Sequence, residues 1–371
     1  MEKIRQLDTF SVSSKGTFMK VPYAMTAYWR APDALSEWME SKQPATTWVA
    51  DRCWQRFGAV IVDCNGSLAQ HGKNHHFGIR AAHLYHLLDD DVEMIKAPDE
   101  KFGGAVRTKI VAVDGRGAAS VALFFDPQTA LLAGYEQTAV FSGIPMKTTV
   151  TITSRMEVGG LKLPKGQTVA MDGEVGIEET VTSYSLAPPN EQWFQRPQSV
   201  NAGTTRLRSI EASARLSVAP SPHGPGLPGK LMAAEGEAYL ANVPPVGPAT
   251  VFFPALPLDP LQANLDVMVP VALPPVVPQV EPPAALSRVS PCTVVGRIGT
   301  GPLTALDKQF TQMHDWTVSK GINVQPRYGL IVYNPWAAPE SFVWELLLPV
   351  LSSQPPGGVA NFCSELKAPP K

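Results

Sequence analysis

The run CTVVGRIGTGPLTALDKQFTQMHDWTVSKG from Cys292 to Gly321, followed by YGLIVYN at 328–334 and FVWELLLPV at 342–350, decides the reading of the C-terminal half. Thr293 to Arg297 is short and rich in β-branched residues, the composition of a strand. Gly299, Gly301 and Pro302 turn the chain. Leu303, Leu306, Phe310, Met313 and Trp316 then recur at helical spacing, with Asp307, Lys308, Gln312 and Asp315 on the opposite face. Gly321 after Lys320 is a helix stop. In the last stretch Phe342, Trp344, Leu346 and Leu348 share one face of a strand, and Val343, Glu345 and Leu347 share the other. The order is strand, helix, strand, strand.

Working outward, the preceding residues read the same way. Ser209 to Val218 is a strand, Lys230 to Leu240 a helix, and Thr250 to Phe253 and Leu265 to Val271 the paired strands. The Pro-rich ALPPVVPQVEPPAAL, Ala272 to Leu286, connects the two units within one domain, and the polar APPNEQWFQRPQSVNAGTT, Ala187 to Thr205, separates that domain from what precedes it. The expected organisation is a β-rich domain over residues 1–190, a ligand-binding domain over 205–353 and a flexible tail over 354–371. The fold class is α+β: a β-rich barrel or sandwich, then a duplicated β-α-β-β domain with a groove between its halves.

Thr293-Val294-Val295-Gly296-Arg297, the Gly299 and Gly301 turn, Tyr333-Asn334-Pro335-Trp336, and Trp344-Glu345 leading into Leu348-Pro349-Val350 together resemble the SOUL haem-binding family, whose fold is shared with gyrase-inhibitor-like effector-binding domains. The resemblance implies a pocket between the repeats for a tetrapyrrole or another apolar molecule. It places Glu345 facing that pocket, with Tyr333 across the sheet and Trp336 and Trp316 as further ligand contacts. A carboxylate within VWELLL needs a reason, because burying it unpaired costs several kcal/mol: either that sheet face meets solvent or the glutamate contacts a ligand. That glutamate also supplies an alternative, hydrolytic reading.

The N-terminal region mixes short helices with many strands. Pro32 suits a helix first turn, and Leu35, Trp38 and Met39 fall on one helical face. Thr108 to Val113 and Ala118 to Phe125 flank Asp114-Gly115-Arg116-Gly117, a hairpin signal. Thr148 to Val158 and Glu174 to Leu186 are further strands. Five histidines, His71, His75, His76, His83 and His86, fall close together. His83 and His86 within AAHLYHLL share one helical face and are the candidate ligands for a metal or haem iron. Gly143-Ile144-Pro145-Met146-Lys147, preceded by Gly134-Tyr135-Glu136, faintly resembles acetoacetate decarboxylases. That resemblance makes Lys147 the candidate Schiff-base nucleophile.

Composition bounds the rest. Among 371 residues, 44% are hydrophobic, 17% are charged and 36 are proline, which suits short strands and turns better than long surface helices. The net charge is -2, and scattered Lys and Arg leave no footprint for nucleic acid. No apolar run reaches membrane-spanning length, and the opening MEKIRQLDTFSVSSKG has no apolar leader core. The four cysteines, far apart in sequence, fit a reduced, cytoplasmic chain. The expectation is a soluble protein that binds a small apolar ligand, a tetrapyrrole above all. A Schiff-base enzyme or hydrolase and a coat-type structural protein stand as alternatives.

Overall fold

A computed structural model describes residues 7–31, 34–39, 45–64, 66–84, 92–115, 119–141, 144–218, 226–253, 265–282, 284–325, 327–351 and 365–366. The chain divides into one unit of Met1–Arg56 and Asp63–Pro197 and a second of Phe57–Val62 and Gln198–Lys371. Both are β-rich with antiparallel sheets and few helices.

The first unit is a long meander. Its strands are β1 (Thr9–Phe18), β2 (Val21–Arg30), β3 (Ala34–Met39), β4 (Ala45–Val49) and β5 (Arg52–Phe57), which leads into β6 (Val60–Asp63). After α1 (Gly66–Ala82) come β7 (Val92–Lys96), β8 (Glu100–Phe102), β9 (Ala105–Asp114) and β10 (Ser120–Phe125). The meander ends with β11 (Leu132–Phe141), β12 (Ile144–Val158), β13 (Leu161–Met171) and β14 (Glu174–Ser185). The sheet runs β5-β4-β3-β2-β1-β14-β13-β12-β11-β10-β9-β7, with β8 beside β9. The expected strands near 108–125, 148–158 and 174–186 lie within β9, β10, β12 and β14.

Two helical readings are corrected here. Leu35, Trp38 and Met39 lie in strand β3, not on a helix. Leu35 is buried in the inner core, whereas Trp38 meets the Trp193 ring edge-on at 4.8 Å on the outer face. Spacing of three looked helical only because both sheet faces are covered there. The region's helix is α1, which ends at Ala82, so His83 follows it rather than sitting within it; His86 lies outside the described residues.

Glycines disguised α1 in the sequence, and packing explains them. A side chain at Gly72 would place its Cβ 2.0 Å from the Trp48 indole nitrogen, and one at Gly78 would come 2.3 Å from Gln137 Oε1. The helix approaches the sheet too closely there for any larger residue. Gly72→Ala is therefore expected to destabilise the protein by about 1–3 kcal/mol, although alanine is the better helix former by about 1 kcal/mol. Gly236→Ala, in a helix of the second unit with nothing within 4 Å of the added carbon, should be neutral or stabilising. Urea midpoints for the two variants decide it; an unshifted Gly72→Ala would remove the packing account.

In the second unit the strands are β15 (Thr205–Ile210), β16 (Ser213–Val218), β17 (Thr250–Phe253), β18 (Asp266–Val271), β19 (Ala285–Val289), β20 (Cys292–Thr300), β21 (Tyr328–Val332), β22 (Val343–Pro349) and β23 (Glu365–Leu366). They form a sheet ordered β15-β20-β22-β21-β17-β18-β16-β19-β23. Helix α2 (Gly226–Leu240) follows β16, and α3 (Leu306–Ser319) follows β20. Leu227, Leu231, Ala234 and Ala238 of α2 join Leu306, Phe310 and Met313 of α3 in one core with Trp344, Leu346 and Leu348 of β22. Two strands appear where loop or tail was expected. β19 begins at the end of the Pro-rich connection and runs beyond it, and β23 adds Glu365–Leu366 to its edge.

Glu235 on α2 accepts the Ala249 N–H at 3.3 Å, yet burial pushes its carboxyl up to about 7. A carboxyl whose folded value stands above its unfolded one contributes stability that is complete below the unfolded value, near 4.5, and is lost as pH rises through about 7. Denaturation midpoints should therefore fall for the wild type from about pH 5 to pH 8 more steeply than for Glu235→Gln. Parallel curves for the two proteins would reject that assignment.

Candidate functional site

Alternation builds a cavity inside the first unit. Along β2, the residues Tyr23, Met25, Ala27 and Trp29 face inward at every second position, as do Leu35 and Glu37 of β3. Phe10, Val12 and Phe18 of β1 continue the surface, as do Tyr135 and Gln137 of β11 and Thr148 and Val150 of β12. Gln167, Val169 and Met171 of β13 and Ile177, Glu179 and Val181 of β14 complete the sheet side. A register shift in the β1–β14 pairing, between Ser13 and Ser14, re-phases the upper end of β14 so that Tyr184 lines the wall. Seven neighbouring strands thus present one face to the same space, and His75, Ile79 and His83 close it at intervals of four residues along and just past α1. The cavity volume is about 330 Å3, at the lower end of the roughly 300–1,000 Å3 of small-molecule sites.

Polar groups gather at one part of this wall. The Tyr23 hydroxyl donates to Glu179 Oε2 at 2.5 Å, and Gln167 Nε2 donates to Glu179 Oε1 at 3.1 Å. Tyr23, Gly16, Glu179 and Gln167 stand opposite one another across β2, β1, β14 and β13. Gly16 in the middle leaves the gap that the tyrosine crosses, and a Cβ there would stand 2.0 Å from the Glu178 carbonyl oxygen. His75 Nε2 lies 3.0 Å from Glu37 Oε1.

Burial shapes the charges. It pushes the Glu179 carboxyl above the usual carboxylate range, even though Tyr23 and Gln167 hydrogen-bond to it. Burial, the largest single influence, draws His75 down, but the charge and hydrogen bond of Glu37 together with the charge of Glu179 leave it raised above the usual histidine value. His83 behaves oppositely. Burial lowers it, and its Nδ1 faces the Ile79 carbonyl at 2.8 Å, which makes Nδ1–H the donor and leaves Nε2 as a lone pair. That Nε2 is buried without a hydrogen-bond partner, as are Gln137 Oε1 and Thr148 Oγ1.

The other sequence candidates fall elsewhere. Lys147 is exposed, at 60% of its side chain, and pairs with Glu136 at 2.9 Å; it does not line the cavity. Among the described residues no group of three His, Cys, Asp or Glu could hold a metal ion. His83 packs its ring 4.9 Å from Phe10, and its expected partner His86 lies outside the described residues. In the second unit Glu345 is fully buried, accepting from the Tyr333 hydroxyl at 2.6 Å and from Arg208. Burial, and then Glu345, pushes the Tyr333 hydroxyl up.

That arrangement corrects the expected groove. The sheet face carrying Tyr333, Ile331, Leu347 and Glu345 is covered by the unit's own Val60 and Val62, and the Phe57 ring sits 5.5 Å from Tyr333. Trp336 packs against this cluster, whereas Trp316 packs on the opposite, helix-bearing face. Tyr333 and Glu345 therefore meet as expected, but around protein side chains, and Trp316 stands apart from them. Arg208, the partner of both, gave no signal in the sequence because β15 precedes the repeat that drew attention.

The cysteine reading is corrected too. Cys53 and Cys64 form a disulfide with Cα atoms 5.3 Å apart, and Cys292 is disulfide-bonded. No helix among the described residues is long and apolar enough to cross a membrane.

No protein-family model matches the chain, and no curated protein does. Among solved structures it is similar to a putative outer membrane lipoprotein-sorting protein domain from Vibrio parahaemolyticus, at 9% identity and TM-score 0.35, over 52% of this chain and 93% of that one. A LolA superfamily protein from Nitrosomonas europaea matches at 13% identity and TM-score 0.37, over 52% and 94%. A hydrolase from Listeria innocua matches at 17% identity and TM-score 0.32, over 40% and 93%. Likenesses this distant say nothing of what the chain binds. None of these is a SOUL protein or an acetoacetate decarboxylase, and the resemblance to those families does not hold. The short motifs that suggested it are what any strand-turn-helix and any Gly-Pro strand start would carry.

Proposed function

We propose that the first unit binds a small, largely apolar molecule in the cavity between its sheet and α1. The observation that carries this reading is the cavity of about 330 Å3 with a predominantly apolar wall. Native cores are packed to near-crystal density, so a void of this size surrounded by Phe, Val, Met and Trp is an expensive feature unless something occupies it. Titration with the neutral probe N-phenyl-1-naphthylamine tests it: saturable fluorescence enhancement at one site per chain is the expected result. Enhancement that persists unchanged after the cavity is filled by mutation would place the dye elsewhere and end the proposal. A tetrapyrrole has no support as the ligand.

In the second unit the strand-helix-strand-strand order recurs, and its sheet serves as a closed scaffold because Val60 and Val62 occupy the face where a ligand would lie. The disulfide between Cys53 and Cys64 favours an oxidising compartment over the cytoplasm. Closing a loop of 11 residues contributes on the order of 2–3 kcal/mol, a contribution that a reducing environment would remove.

A further inference from the structure

Among the described residues the cavity wall contains two glutamates, two histidines and no lysine or arginine. Its unmet hydrogen-bonding capacity is weighted toward acceptance: two pure acceptors and one hydroxyl that can accept or donate. His83 Nε2 is a lone pair, because its Nδ1 proton is committed to the Ile79 carbonyl. Gln137 Oε1 and Thr148 Oγ1 are unpartnered, stand directly opposite each other on β11 and β12, and belong to side chains exposed by only 8% and 7%. Glu179 accepts from Tyr23 and Gln167, and further lone pairs remain on both of its oxygens. Leaving a buried polar group unpaired is unfavourable. Two pure acceptors beside a hydroxyl and the Glu179 lone pairs describe a surface completed by a bound molecule that supplies protons.

Resting on the reading of this cavity as a ligand site, we infer that its occupant is a single-chain amphiphile whose head donates hydrogen bonds and carries no negative charge, a long-chain alcohol or amine. The aliphatic chain lies along Val12, Met25, Val169 and Val181, and the head meets the acceptors. Among the described lining residues an anionic head would face Glu37 and Glu179 with only His75 to offset them. A carboxylate buried without a cation is strongly unfavourable.

Displacement of N-phenyl-1-naphthylamine from the full chain at about pH 8 by 1-dodecanol, dodecylamine and dodecanoate, each below its micelle concentration, isolates the head because the chains are equal. The alcohol and the amine should displace the dye at concentrations at least about tenfold below dodecanoate. Dodecanoate equal to or better than both would overturn the inference about the head and leave the cavity as a ligand site. A dye that never binds would overturn both. His83→Phe with Thr148→Val removes acceptors at similar volume, so the preference, read for each ligand relative to that variant's own dye affinity, should shrink to about threefold or less. A preference unchanged in that variant would show that these atoms do not read the head.

Discussion

Val181→Trp is expected to abolish dye and amphiphile binding, weakening it by at least about tenfold, while leaving the thermal midpoint within a few degrees of wild type. Val181 sits on β14 at an inward position and is nearly inaccessible to solvent. Enlarging a residue in a filled core typically costs about 1–3 kcal/mol through strained rotamers and backbone shifts. Here the indole enters a space of about 330 Å3 that is already open, so strain is relieved and new apolar contacts form. Val169→Trp approaches the same space from β13 and should behave alike. The combination of lost binding with retained stability is diagnostic, since a variant that merely unfolds loses both. Wild-type affinity in both variants would show that the ligand occupies some other place.

Val60→Asp should destabilise the second unit severely. Val60 is 1% exposed among Val62, Phe252, Val294, Ile298 and Leu347, where an aspartate would stand on the face that already holds Glu345, whose carboxylate engages Arg208. Burying an unpaired carboxylate costs several kcal/mol. In a unit of this size each kcal/mol moves the midpoint by about 2–4 °C, so a drop of roughly 10 °C or more is expected in the transition that reports β21 and β22 by hydrogen exchange. Asp63→Ala, three residues on, breaks only an exposed pair with Arg196 and should change stability by less than about 1 kcal/mol. Identical protection in β21 and β22 after Val60→Asp would mean that the segment does not belong to that core.

What could be read from the sequence follows from how local the signal is. Helix α3 and strands β20 to β22 are written in uninterrupted periodicity, and the two faces assigned to 342–348 are the two observed: Phe342, Trp344, Leu346 and Leu348 in one core, Val343 and Leu347 in the other. The cavity was not legible, because its wall is assembled from single inward residues on seven strands, and no short window contains more than a few of them. Glu37 and Glu179 lie 142 positions apart in the numbering and acquire meaning only when β3 and β14 curl around α1. His75 was visible as part of a histidine run, but its partner Glu37 was assigned to a helix that does not exist. The groove escapes a local reading for a related reason: the residues that fill it, Val60 and Val62, lie nearly 150 positions before Arg208 and outside every stretch that the repeat covers.

The discontinuity of the second unit bears on how the protein is made. Its core waits for six residues, Phe57–Val62, that leave the ribosome long before Gln198–Lys371 exist to receive them. A fragment starting at Gln198 would present Phe252, Ile331 and Leu347 to water as an oily, strand-lined face, a surface prone to aggregation. Synthesis from the N-terminus cannot finish the two units in turn as separate beads. The later one is completed only when a segment held in the earlier portion of the chain is brought home to it, so expression trials should keep residues 57–62 attached.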